Sequence, residues 1–234
     1  MKRFSIFLFF LLECGEESLK EPQRFYVVFG VICPEFSRQQ VVFDSSYSVT
    51  EPVEDTAGIR DAEVYLISLG DTIRLYDSEE TPGIYSTEEK IEHGRSYTLE
   101  IFYKDSLILE EKTEVPGKFK IKEPSWGDTV YLSSPSSVVW TKASGCYRNT
   151  YIIWAEVLGS NEAFANLASE DTSSNIFNFR PLFPEKDTFY LIYVEGFDEN
   201  GYSWARGNED VIDEEDVVGV FYSVTKDSVL VYVK

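Results

Sequence analysis

The feature that most constrains the fold is a succession of short runs rich in Val, Ile, Tyr, Phe and Thr, separated by turn residues. Most runs alternate polar and apolar residues, as strands with one buried face do. Only residues 161–168 (NEAFANLA) have the pattern of a short helical turn. The chain is therefore predicted to be all-β. The clearest predicted strands are 25–32, 39–43, 63–69, 72–76, 97–103, 107–113, 137–141, 150–157, 189–197, 217–223 and 228–233.

An Asp followed by Ser or Thr stands at the start of several of these runs. An Asp side chain bonds the backbone two residues on, and a preceding Gly supplies a positive φ. We therefore predict turns at each copy, and the irregular spacing indicates shared turn chemistry rather than a sequence repeat. The copies lie in segments 70–75, 104–109, 127–132, 186–191 and 226–231.

Residues 113–126 form the predicted joint between two domains, because Pro116 and Gly117 interrupt the strand pattern there. The two domains are predicted to comprise residues 24–117 and 118–234. Each has the length of an immunoglobulin-like sandwich and about seven strands. The chain, at 234 residues, is long enough for two domains of this size.

Two tyrosines and one tryptophan strengthen this interpretation. The alternating segments around Tyr97 and Tyr190 resemble the penultimate strand of fibronectin type III domains, whose tyrosine often forms a corner hydrogen bond. Residues 137–157 resemble the tryptophan-bearing second strand of those domains and the strand after it. We predict two consecutive antiparallel sandwiches of the immunoglobulin and fibronectin type III kind, a fold that implies no particular chemistry.

The N-terminus resembles a bacterial lipoprotein signal. Two basic residues precede the apolar run 4–12, which is too short to span a membrane as a helix. Leu11 stands three positions before Cys14, the predicted lipid-attachment residue, but Glu13 stands where the motif has a small residue. The alternative is that the run is a buried strand. The predicted division is a signal segment at 1–13 and an acidic tether at 14–23.

Charge and composition exclude several classes of protein. A formal charge of −20 argues against binding to nucleic acid and to anionic lipid headgroups, since both need basic patches. Any membrane attachment is therefore expected through the lipid on Cys14. A hydrophobic content of 43% and an aromatic content of 15% exclude global disorder.

The order of motifs resembles a bacterial family of outer-membrane-associated lipoproteins classed only as domain of unknown function 4249. The tail at 217–233 is similar to the ending of that family, with Tyr222 in place of a second glycine. The resemblance implies an envelope lipoprotein that works beside outer-membrane nutrient transporters, and it implies no catalytic residues. The other segments that carry it are the leader ending in Cys14 and residues 26–32, 59–71, 83–87, 93–101 and 113–116.

The residues that most often carry catalysis are sparse, and the chain is predicted not to be an enzyme. His93 is the single histidine and precedes Gly94 in a predicted turn, where it is expected to face solvent. No G-x-S-x-G motif or phosphate-binding glycine loop occurs. Cys33 and Cys146 fall in different predicted domains without a visible partner base, so we expect two unpaired thiols. A disulfide that joins the domains is the alternative.

Residues 208–216 are the densest acidic segment. Hard oxygen ligands of this kind bind Ca²⁺, but the EF-hand spacing is missing, and a solvated loop is the favoured interpretation. No other cofactor is predicted. The candidate Ca²⁺ ligands are Glu209, Asp210, Asp213, Glu214, Glu215 and Asp216.

Aromatic residues give the remaining candidates for ligand contact. Trp140 is expected in a sandwich core, whereas Trp126 at the joint and Trp204 in a loop are expected to be exposed. Exposed rings of this kind stack on sugars or contact proteins.

The leading hypothesis is a non-catalytic envelope lipoprotein that binds or scaffolds a protein partner, accessory to an outer-membrane transporter complex. A surface glycan-binding module is the rival, and a carboxylate-based hydrolase is the third hypothesis. An aromatic strip on an exposed face would favour the rival, and two carboxylates converging in a pocket would favour the third. The sequence names neither the partner nor a small-molecule or glycan ligand.

Overall fold

The structure is a computed structural model that describes residues 25–46, 58–133, 137–159, 163–169, 173–175, 186–207, 211–212, 214 and 216–234. Cys14, the signal segment 1–13 and the rest of the tether lie outside these residues. The described residues contain one α-helix, α1 (Glu199–Ala205), and one 3-10 turn at Tyr147–Asn149. In chain order the strands are β1 (Tyr26–Ile32), β2 (Gln39–Ser45), β3 (Glu63–Ser68), β4 (Asp71–Asp77), β5 (Ile84–Thr87), β6 (Ser96–Tyr103), β7 (Ser106–Glu114), β8 (Ile121–Glu123), β9 (Asp128–Val130), β10 (Ser137–Trp140), β11 (Tyr151–Val157), β12 (Ala163–Ser169), β13 (Ser173–Asn175), β14 (Thr188–Phe197) and β15 (Val217–Val233).

The N-terminal module is a sandwich of β1 to β7. One layer has the order β1-β2-β5 and the other has the order β4-β3-β6-β7, with β4 also pairing the end of β5. Alternate residues of each strand point inward and form one core that includes Val64, Leu66 and Leu99. The hydroxyl of Tyr97 accepts a hydrogen bond from the backbone N–H of Glu92 at 3.0 Å, the corner bond that the sequence predicts.

The C-terminal module repeats this arrangement. A three-stranded sheet, β13-β10-β8, accompanies β12-β11-β14-β15, and β9 runs parallel to the end of β15. Trp140 lies in its core as predicted, with its ring 5.3 Å from that of Tyr151. Among the described strands, both modules therefore have a three-stranded and a four-stranded layer, to which β9 is added in the C-terminal module and the first half of β15 in the N-terminal module. The fold is all-β, with two consecutive sandwiches of the immunoglobulin and fibronectin type III kind.

Strand β15 belongs to both modules. Its first half pairs in parallel with β1, from Tyr26 opposite Val217 to Ile32 opposite Ser223. Its second half pairs antiparallel with β14. Gly219 makes the close approach possible, because a Cβ at this residue would overlap the carbonyl oxygen of Val28. The predicted domain boundary after residue 117 stays a prediction, and β15 contributes side chains to both cores.

The predicted turn at 226–231 is wrong, since β15 continues through it without interruption. The Asp227 carboxylate bonds the distant backbone N–H of Ile121 at 2.7 Å, and the backbone N–H of Lys226 donates to Glu35 at 3.2 Å. Long-range partners thus replace the local Asp turn. The other four predicted turns are confirmed by positive φ values at Gly70, Lys104, Asp105, Gly127 and Asp187.

Two further predictions of local structure are wrong. Residues 161–168 were expected to form a helical turn, but residues 163–169 form β12, which pairs with β11. Pairing to a neighbouring strand overrides the weak helix preference of Ala and Leu. Conversely, α1 forms where a loop is expected around Trp204, because the Asp198 side chain accepts a hydrogen bond from the backbone N–H of Gly201 and caps the helix. Among the described residues, no helix has the length and apolarity to cross a membrane.

Candidate functional site at the domain junction

Residues 220–225 of β15 are buried on both faces. Val217 and Phe221 point into the core of the N-terminal module, whereas Val220, Tyr222 and Val224 point the other way. This second group forms a separate apolar cluster with Cys33 and Phe197. Strand β15 joins β1 and β14 into one sheet. The face of this sheet that points away from the N-terminal core is the candidate functional site.

Two exposed rings, Phe29 and Trp204, lie on this face together with the buried ring of Tyr222. These three residues are called the junction aromatic cluster below. Trp204 stacks on Tyr222 with centroids 5.5 Å apart, and Phe29 meets Trp204 edge-on at 5.8 Å. Phe29 is 39% exposed and Trp204 40% exposed, while burial raises the pKa of Tyr222. The C-terminal module supplies Trp204, and β1 supplies Phe29, so the cluster exists only when the modules are joined.

The exposure of Trp204 agrees with the sequence, although it lies on α1 and not in a loop. Phe29 and Tyr222 were not predicted. The signal for them was the uninterrupted apolar character of residues 25–32 and 217–222, since a strand without polar positions is covered on both faces. Trp126, the other aromatic candidate, is 67% exposed in the turn before β9. Its contact with a ligand stays a prediction.

A buried polar network fixes the relative position of the modules. The Thr113 hydroxyl, on β7, donates to the Asp198 carboxylate and lies 2.8 Å from the Ser223 hydroxyl oxygen. The other Asp198 oxygen accepts the Gly201 N–H at 2.9 Å. Burial raises the pKa of Asp198, and these hydrogen bonds oppose that rise. All three side chains are satisfied, so the network favours one arrangement of β7, β15 and α1.

Asn200 adds a second polar tie at the same place. Its side-chain amide donates to the carbonyl oxygen of Lys112 at 3.0 Å and to that of Phe221 at 2.9 Å. These acceptors belong to β7 and β15. Helix α1, which carries Trp204, is therefore held against both modules.

His93 is not the solvent-facing residue that the sequence predicts. Its side chain is only 24% exposed, and its Nε2 lies 3.0 Å from the Glu35 carboxylate. Its Nδ1 lies 3.3 Å from the Pro116 carbonyl oxygen and 3.3 Å from the Thr225 hydroxyl. The histidine thus links the β1–β2 turn, the joint and β15. The misprediction arose because the residues that surround His93 come from distant parts of the chain.

Both described cysteines are free and buried, in agreement with the expectation of unpaired thiols. The Cys33 thiol donates to Glu35 at 3.2 Å, and the Cys146 thiol donates to the carbonyl oxygen of Thr150 at 3.1 Å. Burial raises the pKa of both thiols. They are therefore protonated at neutral pH and are poor nucleophiles.

A cleft of about 280 Å³ opens beside the polar network, and its lining includes the acidic residues Glu114, Asp198 and Glu199. Several carboxylates in one cleft, one with a raised pKa, are what the hydrolase hypothesis requires. However, both oxygens of Asp198 are occupied by Thr113 and Gly201. The raised pKa of Asp198 therefore reflects a buried helix cap, and this carboxylate has a structural role.

The predicted Ca²⁺ ligands are mostly beyond the reach of the structure. Glu209, Asp210, Asp213 and Glu215 lie outside the described residues. Glu214 forms an isolated bridge with Val217, one residue beyond Asp216. Within the described residues no group of three or more His, Cys, Asp or Glu side chains has a metal-binding arrangement. The Ca²⁺ site stays a prediction.

Comparison with known proteins gives limited similarity. No family profile and no curated protein matches the chain. The fibronectin(III)-like modules of Clostridium thermocellum CbhA align over 91% of this chain and 94% of their own, with 14% identity and a TM-score of 0.29. Domains A168–A170 of titin align over 87% of this chain and 61% of theirs, with 11% identity and a TM-score of 0.26. The lipoprotein family suggested by the sequence stays a prediction, and the fold class rests on the strand order described above.

Proposed function

We propose that this protein is a non-catalytic cell-envelope lipoprotein that binds or scaffolds a protein partner, as an accessory to an outer-membrane transporter complex. The observation that carries the proposal is the junction aromatic cluster. Phe29 and Trp204 each expose about two-fifths of their surface, on a sheet face to which both modules contribute. Partly exposed aromatic residues are common energetic centres of protein interfaces.

The cluster is preorganised for binding. Trp204 is stacked on the buried ring of Tyr222, and its helix is held by Asp198 and Asn200. Ordering a large side chain at an interface costs roughly 0.5–1.5 kcal/mol, and rings that are already fixed avoid much of this cost. A partner that covers Phe29 and Trp204 would contact both modules at once. It would therefore bind only when the modules have this relative position, as a scaffold requires.

The groups that most often carry catalysis are engaged in structural contacts. His93 bonds Glu35, the Cys33 thiol bonds the same carboxylate, and Asp198 caps α1. The contact between His93 and Glu35 joins segments distant in sequence, whereas the other two are local. These roles support a binding function in preference to the hydrolase hypothesis.

The envelope location rests on the sequence. The apolar run 4–12 followed by Cys14 is the basis for a lipid anchor, and the charge of −20 makes direct adhesion to anionic headgroups unfavourable. One lipid chain gives only marginal attachment, whereas two acyl chains give a stable anchor. We therefore expect a diacylglyceryl group on Cys14.

Photo-crosslinking in cells tests the proposal. A photoreactive amino acid at position 204 is expected to give one discrete adduct with an envelope protein, and Phe29→Ala should reduce its yield. The same amino acid in place of Tyr131, which is 49% exposed in the C-terminal module, is the matched control. Equal adducts from both positions, or none from position 204, would contradict the proposed interface.

The anchor is tested separately by the intact mass of the mature N-terminus in the membrane fraction. A chain that begins at lipid-modified Cys14 is the expected result, and Cys14→Ala should release the protein from membranes. An unmodified chain that begins at Met1 or beyond Cys14 would contradict the lipoprotein assignment.

A further inference from the structure

A second aromatic surface lies on the outer face of β3, β4 and β6 in the N-terminal module. In the strand register, Tyr65 of β3 lies opposite Arg74 of β4, and Glu63 of β3 lies opposite Phe102 of β6. Tyr76 is two residues beyond Arg74, on the same face of β4. This surface, defined by these five residues, is called the aromatic groove below. It is on the opposite side of this sheet layer from the core residues Val64, Leu66 and Leu75.

The side chains of the aromatic groove contact one another. The rings of Tyr65 and Phe102 meet edge-on at 6.4 Å. The Arg74 guanidinium lies 5.9 Å from the ring centre of Tyr65 and 5.7 Å from that of Tyr76, and it pairs with Glu63 at 3.9 Å. Cation–π contacts of this kind restrain both partners. Tyr76 is nonetheless 65% exposed, so its ring is held in place with much of its surface open to solvent.

The groove continues into a cleft of about 640 Å³ at the end of β6. Glu63 and Phe102 belong to both the groove and the cleft. Tyr103 also lines the cleft, but its ring packs against Tyr26 and Phe43 at the core. The Lys104 ammonium lies 4.8 Å from the centre of this ring. Asp61 and Asp105 complete the lining. Ring faces and hydrogen-bonding groups therefore extend across three neighbouring strands, which are spaced about 4.8 Å apart.

We propose that the aromatic groove and its cleft bind a neutral polysaccharide. The C–H faces of sugar rings stack on aromatic rings, and their hydroxyls pair with carboxylates and with guanidinium or ammonium N–H groups. Each of these group types is present along the groove, at Tyr65 and Tyr76, at Glu63 and at Arg74. The spacing of neighbouring strands is close to the length of one sugar ring, so the groove suits a linear chain of sugars.

The charges of the protein and of the groove favour a neutral polysaccharide over other ligands. The protein carries −20 overall, and the two cations of the groove are already engaged with Glu63 and with aromatic rings, which disfavours a polyanion. A protein partner is disfavoured because Lys, Glu and Asp are depleted at the cores of protein interfaces. Here the cleft is lined by Asp61, Glu63, Lys104 and Asp105. The groove lies on another surface from the junction aromatic cluster, so this inference stands independently of the proposed protein partner.

Native affinity electrophoresis tests the proposal with the whole chain. The gels contain soluble β-glucan, xylan, mannan or dextran, with polygalacturonate as the anionic comparison. We expect at least one neutral polysaccharide to retard the protein and polygalacturonate to have no effect. Tyr76→Ala and Tyr65→Ala should each weaken the retardation about two- to tenfold, the range expected for loss of one aromatic stacking contact.

Tyr131→Ala is the matched control, because it removes an exposed tyrosine from the other module and should leave the retardation unchanged. Thermal unfolding of each variant shows that the fold is retained. Migration unaffected by every neutral polysaccharide, or retardation insensitive to Tyr65 and Tyr76, would overturn the proposal. So would a photo-crosslinked protein adduct from position 76, which would identify the groove as a protein interface.

Discussion

The two halves of β15 differ in what covers them. Residues 220–225 are buried on both faces, whereas residues 226–228 are half-buried and buried residues alternate with half-buried ones from Val229 to Val233. The first half lies between the modules, with a core on one side and the junction cluster on the other. The second half is an ordinary sandwich strand with one core face. A single strand thus has two roles. Its two halves differ in which elements pack on their faces more than in the β-propensity of their residues.

The largest effect is expected from Phe221→Ala, which removes a fully buried ring of the first half from the core of the N-terminal module. The free energy of unfolding should fall by about 3–5 kcal/mol, since such a truncation leaves a cavity. Urea denaturation measures it. Hydrogen exchange should show the loss of protection in β1 and β2, although the changed residue is near the C-terminus. Loss of protection confined to β14 would contradict the role assigned to the first half.

Gly30→Ala is expected to have a smaller effect at the same contact. A Cβ at this position would lie 2.9 Å from the Phe221 ring, which must shift to make room. Overpacking of this kind costs about 1–3 kcal/mol. In a double-mutant cycle measured by urea denaturation, Phe221→Ala should remove most of that cost. Additive effects of the two changes would argue against direct contact between β1 and β15.

Asp198→Asn is expected to change the pH dependence of stability by less than Gly30→Ala changes stability itself, because it removes a carboxyl whose pKa differs between the folded and unfolded states. Burial raises the pKa of Asp198 above its usual 3.8, so the folded state holds this proton more tightly than the unfolded state does. The contribution to stability is therefore complete below pH 3.8 and is lost as the pH rises through the folded-state pKa.

Urea denaturation of both proteins from acidic to neutral pH measures this effect. Wild type should lose stability relative to Asp198→Asn as the pH rises, and an asparagine still caps the helix. Glu195, whose pKa is also raised, is common to both proteins and cancels in the difference, whereas Glu111 is coupled to the Asp198 charge and contributes to the difference. If the difference in unfolding free energy between the two proteins does not vary with pH, the pKa of Asp198 is not raised in the folded state.

The smallest effect is expected from Glu35→Gln, at the crossover between the two halves of β15. The Glu35 side chain is 27% exposed and bonds His93, Cys33 and the backbone of Lys226. Because solvent screens such a pair, the loss of unfolding free energy should stay below about 1 kcal/mol. Thermal unfolding measures it, with Glu88→Gln as a control at a more exposed ion pair. A loss as large as that from Phe221→Ala would contradict the expected screening at Glu35.

Much of the fold follows from local patterns. Alternation in β3 and β6 places Val64, Leu66, Leu99 and Ile101 inward, and their burial is complete. The strand pattern therefore predicts the sandwich class. Tyr97 was also predictable, because its corner bond reaches only five residues back.

The candidate sites were less predictable because their residues meet through long-range pairing. Trp204 was identified as an exposed ring, but its stacking on Tyr222 depends on helix α1, which the Asp-Glu-Asn-Gly segment does not indicate by itself. The continuity of β15 depends on Glu35 and Ile121, far away in sequence. In the sequence, the only sign of the aromatic groove is that Tyr65 and Tyr76 stand at positions of β3 and β4 where the alternating pattern predicts polar residues. Their neighbours are known only once strand order is fixed.

The parallel pairing of β1 with β15 also has a consequence for how the chain folds. These partners are separated by nearly the whole sequence, so the outer edge of β1 stays open until the last strand has been synthesised. An open strand edge is a template for pairing with other chains, and non-local pairing of this kind slows folding. A nascent chain that has been synthesised as far as β7 therefore still exposes the unpaired edge of β1. The first seven residues of β15 cover this edge, and their pairing with β1 ends the period in which the edge is open to aggregation.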